Sequence, residues 1–298
     1  MKFRRVYTME IQGALSTYTV GLRPGASEED ASKLLTLDLD VNRNTLASAN
    51  TGRFTLRNLA EMTRRDVYHD RYDFQNFKNV TLRAGYYGMS PLPMIFNGNI
   101  ITAYSHRQGP DWVTEINCFD GGFGIINSQV STTMPASRTG LTEFLKNALS
   151  GMKRTSVGAI SNFDAPASRG LTIVGNTWDK IQDLTPGASA FIDNGKANVL
   201  KSGDYIANAA GIPLITSSSG MLNTPRRRDA MIEIDMIFEP RLVVGQAVEV
   251  KSLEKVNNGT YQVIGIHHHG SISGAVDGGC ITTLSLWVGA TRLNPVSQ

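Results

Sequence analysis

Apolar and polar residues alternate with a period of two through most of the first third of the chain. Leu35, Leu37, Leu39 and Val41 share one face, with Thr36, Asp38 and Asp40 on the other. Phe54 and Leu56 repeat the pattern, as do Val80, Leu82, Ala84 and Tyr86, and then Trp112, Thr114, Ile116 and Cys118. Successive side chains of a strand point to opposite sides, so this period marks strands buried on one face. Several such strands with turn residues between them predict a small barrel or sandwich. One helix interrupts them, from about Ala60 to Arg71. Asn58 offers an N-cap, Leu59, Met62 and Val67 would face the core, and Glu61 stands four residues before Arg65.

The middle third changes period. Leu141, Phe144, Leu145, Ala148 and Leu149 fall at helical spacing between Thr139 and Met152. A second short helix is predicted from Thr177, with Trp178, Ile181 and Leu184 on one face and a stop before Pro186. The segment Phe191-Ile192-Asp193-Asn194-Gly195-Lys196 then carries an Asn-Gly pair, the strongest short hairpin signal because both turn residues take positive φ.

The last third returns to strands. Ile232, Ile234, Met236 and Phe238 alternate with Glu233, Asp235 and Ile237. An extended run from Leu242 to Val250 passes through Gly245, where a bulge or bend is expected. Tyr261 to Ile266 and Ile281 to Val288 complete the set. The expected fold is mainly β with an α+β middle: two small β-barrel domains joined by a mixed segment. Residues 1–125 form the first barrel with its short helix, 126–228 the α+β domain, and 229–298 the second barrel. A length of 298 residues suggests about two domains.

Composition narrows the partners. A net charge of +3 is too small and too evenly spread to argue for nucleic acid. Arg226-Arg227-Arg228 is the one dense basic run and reads as a solvated turn or a salt-bridge site at a subunit interface, in preference to phosphate binding. Cys118 and Cys280 lie in strand-like runs and are expected as buried free thiols. No apolar stretch follows the charged start Met1-Lys2-Phe3-Arg4-Arg5, so no signal peptide is expected, and no run approaches the ~18 residues that span a bilayer.

Candidate chemistry is sparse. His267-His268-His269 invites a metal reading, and on a strand His267 and His269 share a face. Those two are the metal candidates, with Asp277 or His106 as the third ligand a site would need; the run reads otherwise as a strand end. Neither a Gly-x-Ser-x-Gly elbow nor a His-Glu-x-x-His helix occurs. Asp38 and Asp40 read as solvated strand residues. Gly121-Gly122-Phe123-Gly124 and Gly278-Gly279 read as turns, and Trp112 and Trp287 as core residues. No catalytic residues, cofactor or resident metal are expected.

Several of these stretches resemble a known family in order. Leu39-Asp40-Val41-Asn42-Arg43 and Asn50-Thr51-Gly52-Arg53-Phe54-Thr55-Leu56-Arg57-Asn58-Leu59 resemble the opening strands of baseplate hub proteins from contractile-tailed phages. Leu82-Arg83-Ala84-Gly85-Tyr86, Ile95-Phe96-Asn97-Gly98-Asn99-Ile100 and Gly109-Pro110-Asp111-Trp112 resemble the strands that follow. Phe238 to Gln246 resembles the strand entering the hub's second barrel, and Gly259 to Gly270 its hairpin, with His268 at the family's histidine position. The resemblance, which extends to the T-even hub and the N-terminal part of type VI secretion spike proteins, implies a structural subunit without catalysis. It implies a homotrimeric, pseudo-sixfold ring that adapts a hexameric tail tube protein to a trimeric central spike protein, with tape measure and baseplate wedge proteins as further partners. The implied location is the phage tail baseplate of the virion, after synthesis in the host cytoplasm. The alternative is a tail-associated metal-dependent or cell-wall hydrolase resting on His267 and His269.

Overall fold

The structure is a computed structural model of the chain. It describes residues 4–46, 49–72, 77–134, 140–163, 170–228, 230–275, 278–289 and 293–297. The first third forms strands β1 (Arg5–Gln12), β2 (Thr17–Gly21), β3 (Leu37–Asn44), β4 (Thr51–Arg57), β5 (Asn79–Tyr86), β6 (Met94–Gln108) and β7 (Asp111–Phe119), with short helices α1 (Glu28–Ser32) and α2 (Glu61–Val67) between them. They pair antiparallel in the order β3-β4-β7-β6-β5-β1-β2. The alternating residues read from the sequence fill one core. Leu37, Leu39, Val41, Phe54, Leu56, Val80, Leu82, Ala84, Ile116 and Cys118 are all buried in it.

The middle contains α3 (Gly122–Asn127), β8 (Gln129–Met134), α4 (Leu141–Ser150), β9 (Ser156–Ile160), β10 (Leu171–Asn176), α5 (Thr177–Leu184), β11 (Ser189–Asp193) and β12 (Lys196–Leu200). The expected helical faces pack here, with Leu145, Ala148, Leu149, Trp178 and Ile181 in one cluster beside Ile192 and Val199. Asn176 caps α5, its side chain accepting from the backbone N–H of Trp178 and Asp179. Asn194 and Gly195 turn β11 into β12 with φ of 52° and 75°, as the Asn-Gly pair predicts.

The last third forms β13 (Asp204–Ile206), β14 (Leu214–Ile215), β15 (Arg226–Arg228), β16 (Met231–Ile237), β17 (Ala247–Val250), β18 (Gly259–Ile272), β19 (Cys280–Trp287) and β20 (Asn294–Val296). Ile232, Ile234, Met236, Val248, Val263, Ile266, Leu284 and Leu286 build a second core. No helix among the described residues is long and apolar enough to cross a membrane.

The protein is mainly β, but its two ends are not two closed barrels. β18 pairs with β3 from Gly265–Asn44 to Ile272–Leu37. One sheet therefore runs β15-β16-β19-β18-β3-β4-β7-β6-β5-β1-β2, and no barrel closes among the described residues. The cause is the length of β18. At fourteen residues it reaches past its own half, with Val263 and Ile266 in the second core and Ile272 in the first.

Local expectations also shift. Asn58 does not cap α2. It sits at positive φ after β4 and ties to the β6–β7 hairpin, accepting from Trp112 N–H (3.0 Å) and donating to Asp111 (2.9 Å). The helix starts behind Ala60 and is shorter than expected. Leu59 and Val67 are buried, Met62 is exposed, and Glu61 pairs with Arg65. The run from Leu242 to Val250 is a strand only from Ala247. Gly245 takes φ +87°, and a Cβ there would stand 3.0 Å from the Phe191 ring, so the chain turns instead of continuing. Gly121 to Gly124 opens helix α3 rather than a turn. Arg226 to Arg228 is a short edge strand, exposed, with Arg226 bonded to Asp235 (2.7 Å) and Arg228 to Glu233 (3.4 Å).

Candidate functional site at the junction strand

Strand β18 is where the two ends of the chain meet, and the histidine run lies inside it rather than at a strand end. The alternation puts His267 and His269 on the outer face, their rings stacked 4.6 Å apart, with His267 Nε2 3.1 Å from Asp40 of β3. Among the described residues no three His, Cys, Asp or Glu side chains converge to hold a metal ion. His106 pairs instead with Glu115 (3.9 Å), and Asp277 lies outside the described residues.

His268 points inward and is fully buried. Its ring meets Phe238 edge-on at 5.4 Å, and Nδ1 shares a hydrogen bond with Thr282 Oγ1 (2.9 Å), which also accepts from Glu239 N–H (2.9 Å). Burial drives its pKa well below the usual histidine value, and the nearby Arg43 cation adds to this. The ring is neutral and acts as a packing and hydrogen-bonding element of the junction.

Beside it lies a buried polar cluster that sequence reasoning missed. Arg43, at the end of β3, is 1% exposed and donates through Nε and Nη2 to both carboxylate oxygens of Asp193 (2.7 and 2.6 Å). Asn50 donates to Ile192 C=O (2.8 Å) and accepts from Asn44 N–H (2.8 Å). Asp120, at the end of β7, accepts from the N–H groups of Asn194 (2.5 Å) and Gly195 (2.9 Å). Burial first, and then the neighbouring Asp193, push its pKa up to about 7. The cluster pins the β11–β12 turn to the first β half. The signal was present in the sequence: Arg43 continues the inward series Leu37, Leu39, Val41, and a charge at a core position needs a buried partner.

Cys118 and Cys280 are both buried and free, as expected. Burial raises the Cys118 thiol well above its ordinary value and pushes Cys280 up to about 12, so both are inert. Trp112 is no core residue. It is 40% exposed, with the Arg64 guanidinium 3.9 Å above its ring.

The chain is thus a β-protein of two halves, each around its own core, that share strand β18, with the buried ion pair tying the first half to the middle hairpin. The family model described as baseplate hub gp41 matches residues 20–271, so the chain belongs to the baseplate hub family, a structural component of phage tails. Solved structures show the same fold at low identity. A tail protein from Neisseria meningitidis MC58 superposes with a TM-score of 0.57 at 11% identity, covering 94% of this chain and 96% of that one. The 43 kDa tail protein of prophage MuSo2 from Shewanella oneidensis gives 0.58 at 8%, covering 94% and 97%. The c3393 protein of E. coli, a type VI secretion component similar to the T4 tail proteins gp27 and gp5, gives 0.51 at 10%, covering 87% and 74%. Comparison with curated protein sequences gives no match. The resemblance to tail hubs and to type VI secretion proteins stands.

Proposed function

We propose that the chain forms a homotrimeric hub ring that joins the hexameric tail tube to the central spike of a phage contractile tail, and does so without catalysis. The observation that carries this reading is the β18–β3 ladder, which sets two core-filled β halves side by side in one subunit. Three such subunits present six β units, the number a hexameric tube requires. A structure of the PdpA–VgrG complex shares the fold (TM-score 0.50, covering 98% of this chain and 66% of that one), which supports a spike protein as one partner. In this reading the chain divides near residues 125 and 228, and tape measure and wedge proteins are further partners. The subunit is placed in the virion, at the tail baseplate, after synthesis in the host cytoplasm. Native mass measurement tests the ring: a trimer is expected, and a monomer at high concentration that binds neither tube nor spike protein overturns it.

A further inference from the structure

Strands β8 and β10 form a two-stranded ribbon that pairs with nothing else among the described residues. One face is covered: Val130 and Ile173 pack on Leu141 and Phe144 of α4 and on Leu184 of α5. The other face is open, with Val174 64% exposed, and Ile126 of the adjoining α3 is 65% exposed. Among the described residues both outer edges of the ribbon are also unpaired. Thr177 N–H donates to Ser128 C=O, so the facing pairs alternate from there. The backbone groups of Gln129, Ser131 and Thr133 on β8, and of Thr172 and Val174 on β10, then point outward.

The composition of these edges is unusual for a solvent-facing pair. Gln129-Val130-Ser131-Thr132-Thr133-Met134 and Leu171-Thr172-Ile173-Val174-Gly175-Asn176 contain no charged residue and no proline. Monomeric proteins guard edges with Lys, Pro or bulges, because an open edge templates pairing with another chain. The opposite treatment is visible at β15, an edge strand built of three exposed arginines. The ribbon's own side chains carry no charge that would repel a copy of it.

From these edges we infer that the ribbon is a self-pairing surface: β10 of one subunit adds to β8 of the next copy of this chain. The occupant is a second copy because each ribbon offers two open edges, and a single strand from another protein would satisfy only one. Head-to-tail pairing uses both edges of every subunit, and it closes if the rotation closes. β8 and β10 run antiparallel within a chain, and rotation about one axis preserves strand direction, so β10 also meets the neighbouring β8 antiparallel. Resting on the trimer reading above, three ribbons would make a six-stranded ring with no free edge.

Hydrogen exchange and one substitution test this on the full-length chain. In the assembled protein the outward amides of Ser131, Thr133, Thr172 and Val174 should exchange slowly, and dilution to monomer should release them. Val174→Pro removes an outward N–H without touching the intrachain ladder, and should weaken self-association by about tenfold for each intersubunit bond lost. Ser131→Lys should weaken it through like charge at the repeated edge. A stable trimer whose four amides exchange freely, or in which both variants associate like the parent, overturns the ribbon pairing and leaves the trimer intact. A parent chain that is monomeric at every concentration overturns both.

Discussion

Arg43 and Asp193 form a two-pronged, fully buried ion pair between β3 and the end of β11, with donor–acceptor distances of 2.7 and 2.6 Å. The pair fastens the first β half to the middle hairpin. Removing one member leaves a charge with no partner and no water, so Asp193→Ala should destabilise the fold by about 3–5 kcal/mol. Replacing both, as Arg43→Met with Asp193→Leu, should cost less than either single change. Urea unfolding of the three variants measures this; a double variant as unstable as the sum of the singles would refute the pairing.

Asp120 makes stability fall as pH rises through neutrality. Its carboxyl titrates near 4 in the unfolded chain and about 7 in the folded one, so the folded state holds the extra proton between those values. Its stabilising contribution is present in acid and lost as pH climbs toward 7. Asp120→Asn lacks this titration. Relative to the parent, the variant should gain about 2–3 kcal/mol between pH 5 and pH 8, read from denaturant midpoints at both pH values.

His268 acts with the opposite sign. Its folded pKa is depressed, so its contribution is complete above the unfolded value near 6.5 and is lost as pH falls below that. His268→Gln keeps a hydrogen-bonding group beside Thr282 but does not titrate. Between pH 8 and pH 5 the parent should lose stability relative to this variant, read from denaturant midpoints at both pH values. A parallel pH dependence of the two proteins would show that the buried ring is not the acid-sensitive group.

His267 and His269 face outward and serve no metal in this reading. The purified protein should carry substoichiometric zinc, and the double variant His267→Ala, His269→Ala should unfold within about 0.5 kcal/mol of the parent, as surface changes do. Stoichiometric zinc released by that double change, together with hydrolysis of cell wall that disappears with it, would favour the hydrolase alternative.

Much of the strand set was legible because half-buried strands write their burial directly into a period of two. Leu37 to Val41 and Ile232 to Phe238 are buried where the alternation places them. The α4 and α5 faces and the Asn194-Gly195 turn were legible for similarly local reasons. What stayed hidden depends on residues far apart in sequence. Nothing near Asn44 announces that β3 will pair with residues 265–272, so two small β-barrel domains were expected apart where one sheet runs through both ends. Arg43 looked like one more polar residue until Asp193 arrived beside it, and Asn58 resembled a helix cap until Trp112 claimed its side chain. Local pattern reports burial well and partner identity poorly.

The β18–β3 ladder also orders events in time. During synthesis β3 leaves the ribosome long before its partner strand, so the first half waits with an unfinished edge until the last third arrives. A chain stopped short of residue 265 cannot supply that strand. The β3 edge therefore stays open until residues 265–272 have been made, and the first half is completed by a segment more than two hundred residues downstream.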